Sequence, residues 1–509
     1  MEDMKCSDRL CAVCAHGCSH QHSHEEVEAR PVSVEEMAEC RERRAKRQEE
    51  LIKEYSLPVI SFTMNVAGPV KYKKALEICF NIGISELKGA IMKFGAEPVH
   101  EEYHIKETGC EALLQFRGLN AKLIKAVAVK VEDAMSFSRL FDIDVIGTDG
   151  IKLARPKPRQ CLICSRPAAE CARSRAHSVA ELQKKTDALL REAISYAAGM
   201  TAYSALVSEV TTTPKAGLVD RSNNGANKDM DIPLFIKSAD ALRPYYYLMA
   251  YNAADREAKE SGHGDGCAVD EHVNCADCPS HESCELEHGA SLMTKLTLLG
   301  VEAETRMREA TGGVNTHKGA IFCLGLLVSA FAKLAAEGKS CQPLDILSEA
   351  GRMARLRPRP GRGTHGADAR ERFGAENAVF GADAEARAGF PAAADAYRRI
   401  LGFKLMGFDD NASYALSLIG IMAGLYDTNA YSRGGAEGAE FVRSRAAEIA
   451  AMPLSKRLNE VVSFDRELIE RNINCGGAAD VLAAAIFLDR LNEYTDRLKG
   501  PEQIKEDEA

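Results

Sequence analysis

Apolar residues in the first part of the chain follow two periods in turn, one typical of strands and one typical of helices. A highly charged helical pattern covers residues 35–55, and a long amphipathic pattern runs from Lys71 to Phe94. Strand-like runs read "LPVISFTMNV", "ALLQFRG" and "RLFDIDVIG", and "NAKLIKAVAVKVEDA" between the last two has a helical period. Strands that alternate with helices predict an α/β or α+β unit that ends near residue 177.

From about Ser178 onward, the apolar spacing is almost entirely helical. The helical windows are 178–210, 231–260, 290–310, 318–337, 411–425, 437–472 and 478–498. The sequence therefore predicts a multidomain fold, in which an N-terminal α/β (α+β) domain is followed by a large all-α domain. The longest apolar run, Ala320 to Ala332, is too short to span a bilayer and predicts a buried helix.

Composition and charge narrow the class of protein. The chain has 509 residues, of which 46% are hydrophobic and 27% charged, as in ordinary globular proteins. Its formal net charge of -9 supplies no basic field, so we expect no nucleic-acid partner. Residues 1–30 lack the apolar core of a signal peptide, and we expect a cytoplasmic protein without a membrane partner. In that compartment most of the 17 cysteines would be free thiols.

Eleven of the cysteines fall into three clusters. Residues 1–32 hold the first cluster and lack a hydrophobic period, so we expect a disordered Cys/His-rich tail. The third cluster lies in an insert-like stretch, 262–288, with the spacing C-x7-C-x2-C-x5-C. Its members are Cys267, Cys275, Cys278 and Cys284. Four such cysteines are chemically suited to Zn2+ or to an iron–sulfur cluster.

The second cluster lies in "RQCLICSRPAAECARSRAH", from Arg159 to His177. It contains a C-x2-C pair, a third cysteine and a histidine, namely Cys161, Cys164, Cys171 and His177. These residue types can hold zinc in a tetrahedral site. The alternative is that the cysteines are small buried residues that pack a core.

Two carboxylates stand in the strand-like run "FDIDV". Asp142 and Asp144 are two residues apart, so on a strand both side chains point to the same face. They would repel each other unless a cation lay between them, and Mg2+ held against a triphosphate has this kind of ligand pair. The alternative is an ordinary strand with one solvated face.

Four polar stretches interrupt the apolar helices, at 209–231, 311–322, 427–435 and 471–484. Each combines Asn, Asp, Lys or Arg with small residues next to a helix start, where glycine admits a close ligand and the helix N-terminus attracts phosphate. Their acids include Glu209, Asp220, Asp229, Asp231, Asp427 and Asp480, and their cations include Lys215, Arg221, Lys228, Lys318 and Arg433. One such stretch is typical of an ordinary helix cap, but four in one helical domain favour a binding site.

Three motifs, "PVISFTMNVAGPVK", "LFDIDV" and "RQCLIC…AAECARSRAH", occur in the order expected of one family. Residues 33–190 resemble the citrate lyase holo-acyl-carrier-protein synthase, a phosphoribosyl-dephospho-CoA transferase. The resemblance implies a nucleotidyltransferase-type domain in which a serine hydroxyl of the acyl-carrier subunit attacks the phosphate next to the ribose, and diphosphate leaves. It also implies that Asp142 and Asp144 hold Mg2+. The phosphates would be bound by Arg139, Lys152, Arg155, Arg159 and Arg173.

The polar stretches of the helical half carry a second resemblance, through "TPKAGLVD", "NNGANKDMD", "GVNTHKG", "DTN", "RGG" and "NCGGAAD". They are similar to the motifs of triphosphoribosyl-dephospho-CoA synthase. This chain departs from that pattern at Asn227, where His is usual, and at Ala216, where Pro is usual. The implied reaction is a ribosyl transfer, in which the 2'-hydroxyl of 3'-dephospho-CoA attacks the anomeric carbon of ATP and adenine leaves.

The second resemblance implies roles for particular residues. A carboxylate must accept the hydroxyl proton, and the transition state has oxocarbenium character. Asp220, Asp229 and Asp427 would bind Mg2+ or act as the base. Lys215, Lys228, Lys318 and Arg433 would hold phosphates. Asn315 and His317 would orient the nucleotide.

The two resemblances together predict a bifunctional transferase that makes an activated prosthetic group and attaches it to the acyl-carrier subunit of citrate lyase. Fusion would raise the concentration of the intermediate near the second site. The predicted parts are a tail at 1–32, a transferase domain at 33–190, a synthase domain at 191–498 with the insert 262–288, and a frayed end at 499–509.

Two alternatives remain open. The same prosthetic group serves malonate decarboxylase, although "RQCLIC…CARSRAH" favours citrate lyase. The chain could instead be a metal-binding regulatory or scaffold protein with inactive transferase domains. The acidic and basic groups present in all four polar stretches favour an active enzyme.

Overall fold

A computed structural model of the chain describes residues 27–255, 281–357 and 381–495. For 281–290 it describes the backbone alone. Residues 1–26 of the predicted tail, most of the insert with Cys267, Cys275 and Cys278, the side chain of Cys284, and the end 499–509 lie outside the described residues. The last residues of the predicted tail are ordered, because Pro31 pairs with Val70 and Val32 is buried.

The chain divides into two compact units. The sheet unit runs up to Ala197 and includes the chain end from Glu493, and the helical unit comprises Ala198–Asn492. The division falls inside the long helix Val179–Thr211. Many multidomain chains have a flexible linker at such a boundary, whereas this chain is helical there.

The sheet unit combines four strands with several helices. In chain order its elements are α1 (Val34–Tyr55), β1 (Val59–Met64), α2 (Lys74–Met92), β2 (Glu97–Lys106), β3 (Gly109–Arg117), α3 (Ala121–Glu132), a 3-10 turn (Phe137–Leu140), β4 (Phe141–Ile146), α4 (Ala168–Ser174) and the start of α5 (Val179–Thr211). The described strands form one sheet in the order β2-β3-β1-β4. All three pairings are antiparallel, so this unit is α+β.

One face of the sheet is apolar and packs under helices. Phe62 of β1 lies edge-on to Phe80 of α2 and to Phe141 of β4, with ring centroids 5.3 and 5.2 Å apart. Lys125 of α3 is buried and donates to the carbonyl of Ile143 at 2.8 Å. The ring contacts place α2 on this face, and the Lys125 hydrogen bond places α3 beside the edge strand β4.

The opposite face is polar. Thr63 of β1 stands across from Glu111 of β3 and Asp142 of β4, and Ser61 stands across from Asp144. Helix α1 contributes to this side, because its Leu51 packs with Val59 and Leu113. A polar sheet face that is only partly covered leaves room for a ligand.

Strand β2 was not predicted from the sequence. Its sequence, "EPVHEEYHIK", is rich in charged residues and histidine, and the buried positions do not follow a simple alternation. A register shift between Pro98 and His100 interrupts the period further. Salt bridges to helix residues, such as Arg47 to Glu102 at 2.8 Å, let acidic side chains lie inside this strand.

The helical unit holds the rest of the described chain. Its helices are the end of α5, α6 (Ile232–Ala253), α7 (His281–Thr311), α8 (Lys318–Glu337), α9 (Pro343–Leu356), α10 (Ala382–Arg387), α11 (Pro391–Leu405), α12 (Asp410–Gly424), α13 (Thr428–Ala451), α14 (Leu454–Glu470) and most of α15 (Gly476–Thr495). The predicted fold class, an α+β part followed by a large all-α part, is confirmed.

Three predicted helical windows were wrong in their extent, and three helices of this unit were missed. The helix of window 290–310 begins earlier, at His281. The window 437–472 is two helices, because Pro453 starts a new one after Met452. The window 231–260 ends as a helix at Ala253. Helices α9, α10 and α11 were absent from the prediction. Within the described residues, α8 alone is long and apolar enough to cross a membrane, and most of it is buried inside the unit.

Replacement of Gly83 by Ala is expected to lower the free energy of unfolding by roughly 1–3 kcal/mol, as overpacking does. The added Cβ would lie 2.5 Å from Phe62 Cζ and 2.9 Å from Phe141 Cζ. Gly89→Ala on the same helix is the matched control, because nothing lies within 4 Å of its Cβ position. That control should raise stability by about 0.5–1 kcal/mol. Chemical denaturation followed by circular dichroism measures both, and equal effects would contradict this packing.

Candidate active sites

Asp427 joins the N-termini of two helices in the helical unit. It is the N-cap of α13, where its Oδ1 accepts from the N–H groups of Asn429 (2.8 Å) and Ala430 (3.3 Å). Its Oδ2 accepts from Ala478 N–H in the first turn of α15, at 2.8 Å. Burial raises the pKa of this carboxyl, although the backbone hydrogen bonds oppose the shift. The third and fourth polar stretches therefore meet at one buried carboxylate.

Asp480 brings a third helix N-terminus to the same place. It lies in the first turns of α15 and accepts a hydrogen bond from the backbone of Ala320 in α8. A Cβ at Gly319 would collide with its carboxylate, so α8 can approach this closely only with glycine there. Burial raises the pKa of Asp480 well above its usual value, and the nearby carboxylates of Asp427 and Glu209 add to the shift.

Lys215 is the buried cation of the first polar stretch. Its ammonium lies 2.5 Å from Glu209 Oε1, and both side chains are almost fully buried. Lys215 also lies close enough to His317 to lower the pKa of that imidazole. Since burial is the larger cause and the pKa falls to about 3, His317 is neutral at physiological pH.

Two buried polar atoms near these carboxylates lack a hydrogen-bond partner among the described residues, namely Nε2 of His317 and the hydroxyl of Tyr246. The other ring nitrogen of His317, Nδ1, lies 2.7 Å from the hydroxyl of Ser238. The carboxyl of Asp480 is one cause of the raised pKa of Tyr246, after burial. Buried polar atoms are normally paired, so these two are suited to contact a ligand.

The first polar stretch folds into a loop held by carboxylates. Asp220 accepts from the backbone N–H groups of Lys215 (3.0 Å), Ser222 (2.6 Å) and Asn223 (3.1 Å). The side chain of Asn223 donates to Asp465 of α14 at 2.8 Å. In this arrangement the carboxylate of Asp220 fixes the shape of the loop.

Asn227 is where three of the four stretches meet. Its Oδ1 accepts from Nδ2 of Asn474 at 2.8 Å and from Nη2 of Arg433 at 3.4 Å. The same guanidinium donates to the carbonyl of Ala226 at 3.0 Å. The position at which the sequence departs from the expected histidine thus holds a buried hydrogen-bond acceptor at the centre of the network.

The other predicted residues of this unit lie nearer the surface. Lys228 and Asp229 are exposed on the loop that leads to α6. Asn315 accepts from the backbone N–H of Lys318 at 3.2 Å, and Lys318 pairs with Glu304 at 3.0 Å. The structure therefore separates a buried group around Asp427 and Asp480 from these more exposed side chains.

The geometry suits an anionic ligand that carries a metal. Three helix N-termini converge, and each places partial positive charge and N–H groups toward the same region. The carboxylates of Asp427 and Glu209 lie close enough to Asp480 to add to the rise of its pKa. Oxygen ligands of this kind are those that Mg2+ prefers.

In the sheet unit, Asp142 and Asp144 lie on the same face of β4, as their alternation predicts. Each has a basic neighbour: Arg159 lies 3.3 Å from Asp142, and Lys152 lies 2.5 Å from Asp144. Asp142 is half exposed, with 46% of its side chain accessible. A metal or a phosphate can therefore reach this face from solvent.

The remaining predicted arginines have local partners. Arg139 donates to the carbonyl of Cys161, and Arg155 pairs with Glu132 and Asp133. Arg159 also pairs with Glu132, a carboxylate whose pKa burial raises. Arg173 is exposed, and its Nε donates to the carbonyl of Ala169 in its own helix at 3.3 Å.

A cleft beside α1 contains cations that the sequence reasoning missed. Its volume is about 360 Å³, and four basic side chains of α1 line it, Arg43, Arg44, Lys46 and Arg47. Arg43 and Arg44 pair with Glu111, which stands across from Thr63 on the polar face. The sequence signal for this cleft was the dense basic charge of residues 41–47. Such charge is typical of a solvated helix face, and only the sheet pairing shows that it lies near the polar face.

The second cysteine cluster is assembled in the structure. One ligand atom from each of Cys161, Cys164, Cys171 and His177 lies within 4.8 Å of every other. Cys161 and Cys171 are buried, and all three cysteines are free thiols.

Two family models match the chain, one for each unit. Residues 195–498 match a model described as ATP:dephospho-CoA triphosphoribosyl transferase. Residues 32–193 match a model described as apo-citrate lyase phosphoribosyl-dephospho-CoA transferase. The two matches meet within α5.

Known proteins are similar to one part of the chain or to both. Protein CitXG of Haemophilus influenzae is 28% identical over 91% of this chain and 97% of the relative. Protein CitXG of Leuconostoc mesenteroides subsp. cremoris is 28% identical over 90% of this chain and 97% of the relative. A probable 2-(5''-triphosphoribosyl)-3'-dephosphocoenzyme-A synthase of Azotobacter vinelandii is 36% identical over 57% of this chain and 89% of the relative.

Replacement of Asp480 by Asn is expected to stabilise the helical unit, and the gain should grow with pH. The folded state holds the Asp480 proton more tightly than the unfolded state, whose carboxyl has a pKa near 3.8. The native protein therefore loses stability as the pH rises above that value, whereas an amide does not titrate. Thermal unfolding of both proteins between about pH 4 and pH 8 measures this.

Asp395→Asn is the matched control, because Asp395 is exposed and pairs with Arg399 on the surface of the same unit. Its effect on the melting temperature should be small at every pH. A pH-independent gain for Asp480→Asn would contradict a buried carboxyl with a raised pKa.

Proposed function

The chain belongs to the ATP:dephospho-CoA triphosphoribosyl transferase family and carries an N-terminal apo-citrate lyase phosphoribosyl-dephospho-CoA transferase domain, and we propose that it makes and attaches the prosthetic group of citrate lyase. It is a bifunctional transferase. The first reaction joins ATP to 3'-dephospho-CoA, and the second transfers the product to the acyl-carrier subunit. The observation that carries the proposal is the convergence of three helix N-termini on Asp427 and Asp480.

In the first reaction, the 2'-hydroxyl of 3'-dephospho-CoA attacks the anomeric carbon of ATP. The bond from that carbon to adenine breaks, adenine leaves, and the triphosphate stays on the transferred ribose. A carboxylate must accept the hydroxyl proton, and the candidates are Asp427 in the buried group and Asp229 on the exposed loop. Asp220 acts indirectly, since its carboxylate is engaged by the loop backbone.

The triphosphate is held by the helix N-termini together with cations. Arg433, Lys318 and Lys228 are exposed basic residues of the polar stretches, and Lys215 lies deeper with Glu209. Neutral His317 contacts the nucleotide through its unpartnered Nε2, and Asn315 shapes the start of α8.

Mg2+ fits the buried carboxylates. Burial raises the pKa of Asp480, and a bound metal ion would favour the ionised form of this carboxyl instead. Asp427 and Asp480 would hold the ion, and Mg2+ would neutralise charge on the triphosphate.

In the second reaction, a serine hydroxyl of the acyl-carrier protein attacks the phosphorus next to the ribose. The P–O bond to the rest of the triphosphate breaks, and diphosphate leaves with its electron pair. Asp142 and Asp144 would hold Mg2+ here, and Arg159 and Lys152 would bind phosphate oxygens when they leave the carboxylates. The cations of the α1 cleft extend the same polar sheet face and are suited to the rest of the anionic substrate.

Both substrates of the first reaction are intracellular metabolites, so the proposed location is the cytoplasm. The acyl-carrier protein is the macromolecular partner. The full-length similarity to proteins that match along both units supports a fused enzyme in place of a scaffold with inactive domains.

Asp427→Asn is expected to lower the release of adenine from ATP plus 3'-dephospho-CoA by about 100-fold or more. Asparagine is as good an N-cap as aspartate, so α13 should still form. Asp409→Asn is the matched control, because Asp409 caps α12 through Ala412 N–H at 2.8 Å and lies outside the polar stretches. Chromatography of released adenine measures both variants. Normal release by Asp427→Asn would contradict a role of Asp427 in the first reaction.

Asp142→Asn is expected to lower transfer to the acyl-carrier protein by about 100-fold or more, with adenine release unchanged. The two activities separate because Asp142 lies in the sheet unit alone. Asp149→Asn serves as the control, since Asp149 stabilises a turn in the same unit by accepting from Ile151 N–H at 3.0 Å. Mass spectrometry of the acyl-carrier protein, supplied with preformed intermediate, gives the readout. Equal loss of both activities in Asp142→Asn would contradict the assignment of one reaction to each unit.

A further inference from the structure

The segment 159–177 is fixed in a compact shape without an apolar core of its own. The only buried side chains in this described segment are Cys161 and Cys171. Small elements with so little buried apolar surface normally need a disulfide or a metal to stay folded. All three cysteines are free in the structure, and the sulfurs of Cys164 and Cys171 lie 3.5 Å apart, farther than a disulfide bond of about 2.05 Å.

The backbone of the segment presents the first two cysteines from a tight turn. Cys161 N–H donates to the carbonyl of Arg166, and Ala168 N–H donates to the carbonyl of Arg159, both at 2.8 Å. The third cysteine, Cys171, lies on the short helix α4 directly after this turn. Two ligands on a turn and two on or after a following helix are a common way to build a structural zinc site.

The distances between ligand atoms match a tetrahedral zinc site. His177 Nε2 lies 3.4 Å from Cys164 Sγ, and the Cys164 and Cys171 sulfurs are 3.5 Å apart. Zinc bonds of about 2.3 Å to sulfur and 2.0 Å to nitrogen require edges of about 3.8 and 3.5 Å. All four ligand atoms lie within 4.8 Å of one another, so one ion can contact every one of them.

We propose that Cys161, Cys164, Cys171 and His177 bind one Zn2+ ion as a closed structural site. Binding displaces the thiol protons to solvent, and the four protein ligands leave no open position for a substrate. The metal would fix the segment in place. In that position Arg159 lies beside Asp142, and the carbonyl of Cys161 accepts a hydrogen bond from Arg139. The effect on acyl-carrier transfer rests on the proposed function, whereas the binding of zinc does not.

The first test compares the zinc content of purified full-length proteins. Cys171→Ser is expected to contain one zinc equivalent less per chain than the unmodified protein. The difference is the readout, because other cysteine-rich parts of the chain can also bind metal. Cys79→Ala is the matched control, since Cys79 is a buried cysteine of α2 in the same unit, outside the cluster. Equal zinc content in Cys171→Ser and in the unmodified chain would overturn the proposal.

A second variant separates metal binding from simple packing. His177→Cys is expected to retain the zinc equivalent through a fourth thiolate, whereas His177→Ala should lose it or bind it far more weakly. After substitution with Co2+, the charge-transfer absorption of His177→Cys should increase relative to the unmodified chain. Loss of the metal in His177→Cys, or an unchanged Co2+ spectrum, would overturn the assignment even if Cys171→Ser failed to fold. Adenine release in the same preparations tests the helical site independently.

Discussion

The helical unit depends on a set of carboxylates that are removed from water. Isolated ionised carboxylates are costly to bury, by several kcal/mol each, unless hydrogen bonds or a cation compensate. Asp427 is compensated by N–H groups from two helices, and Glu209 by Lys215. For Asp480 the raised pKa reflects this cost, and a hydrogen bond from the backbone of Ala320, which the close approach of α8 at Gly319 permits, offsets part of it. These requirements bring the polar stretches together, and a metal-bound triphosphate is the ligand class that would satisfy them best.

The sheet unit handles acidic side chains differently. Asp142 and Asp144 remain partly exposed and pair with the basic side chains of Arg159 and Lys152. Exposed pairs of this kind contribute little to stability and exchange partners easily. Under the proposed function, the buried carboxylates of the helical unit would serve the reaction at an anomeric carbon. The sheet unit offers an open polar face, which suits a reaction whose second substrate is a protein.

The sequence predicted what depends on local pattern. Most helices have the predicted type, and the common face of Asp142 and Asp144 follows directly from strand alternation. Strand β2 was missed because its acidic residues are buried by pairing with helix residues such as Arg47, which a period does not reveal. The contact of Asp427 with Ala478 spans distant parts of the chain, so no local signal could show it. The loop role of Asp220 rests on local hydrogen bonds from Lys215, Ser222 and Asn223, a turn role of aspartate that the prediction of a metal ligand or base left out.

The central claim is that one chain both makes the activated prosthetic group and attaches it. The most direct measurement is the mass of apo citrate lyase acyl-carrier protein after incubation with the full-length chain, Mg2+, ATP and 3'-dephospho-CoA. The account predicts a mass gain equal to one phosphoribosyl-dephospho-CoA group, dependent on both small molecules, and no gain on the malonate decarboxylase counterpart. No gain on the citrate lyase protein, or a gain without ATP, would contradict it.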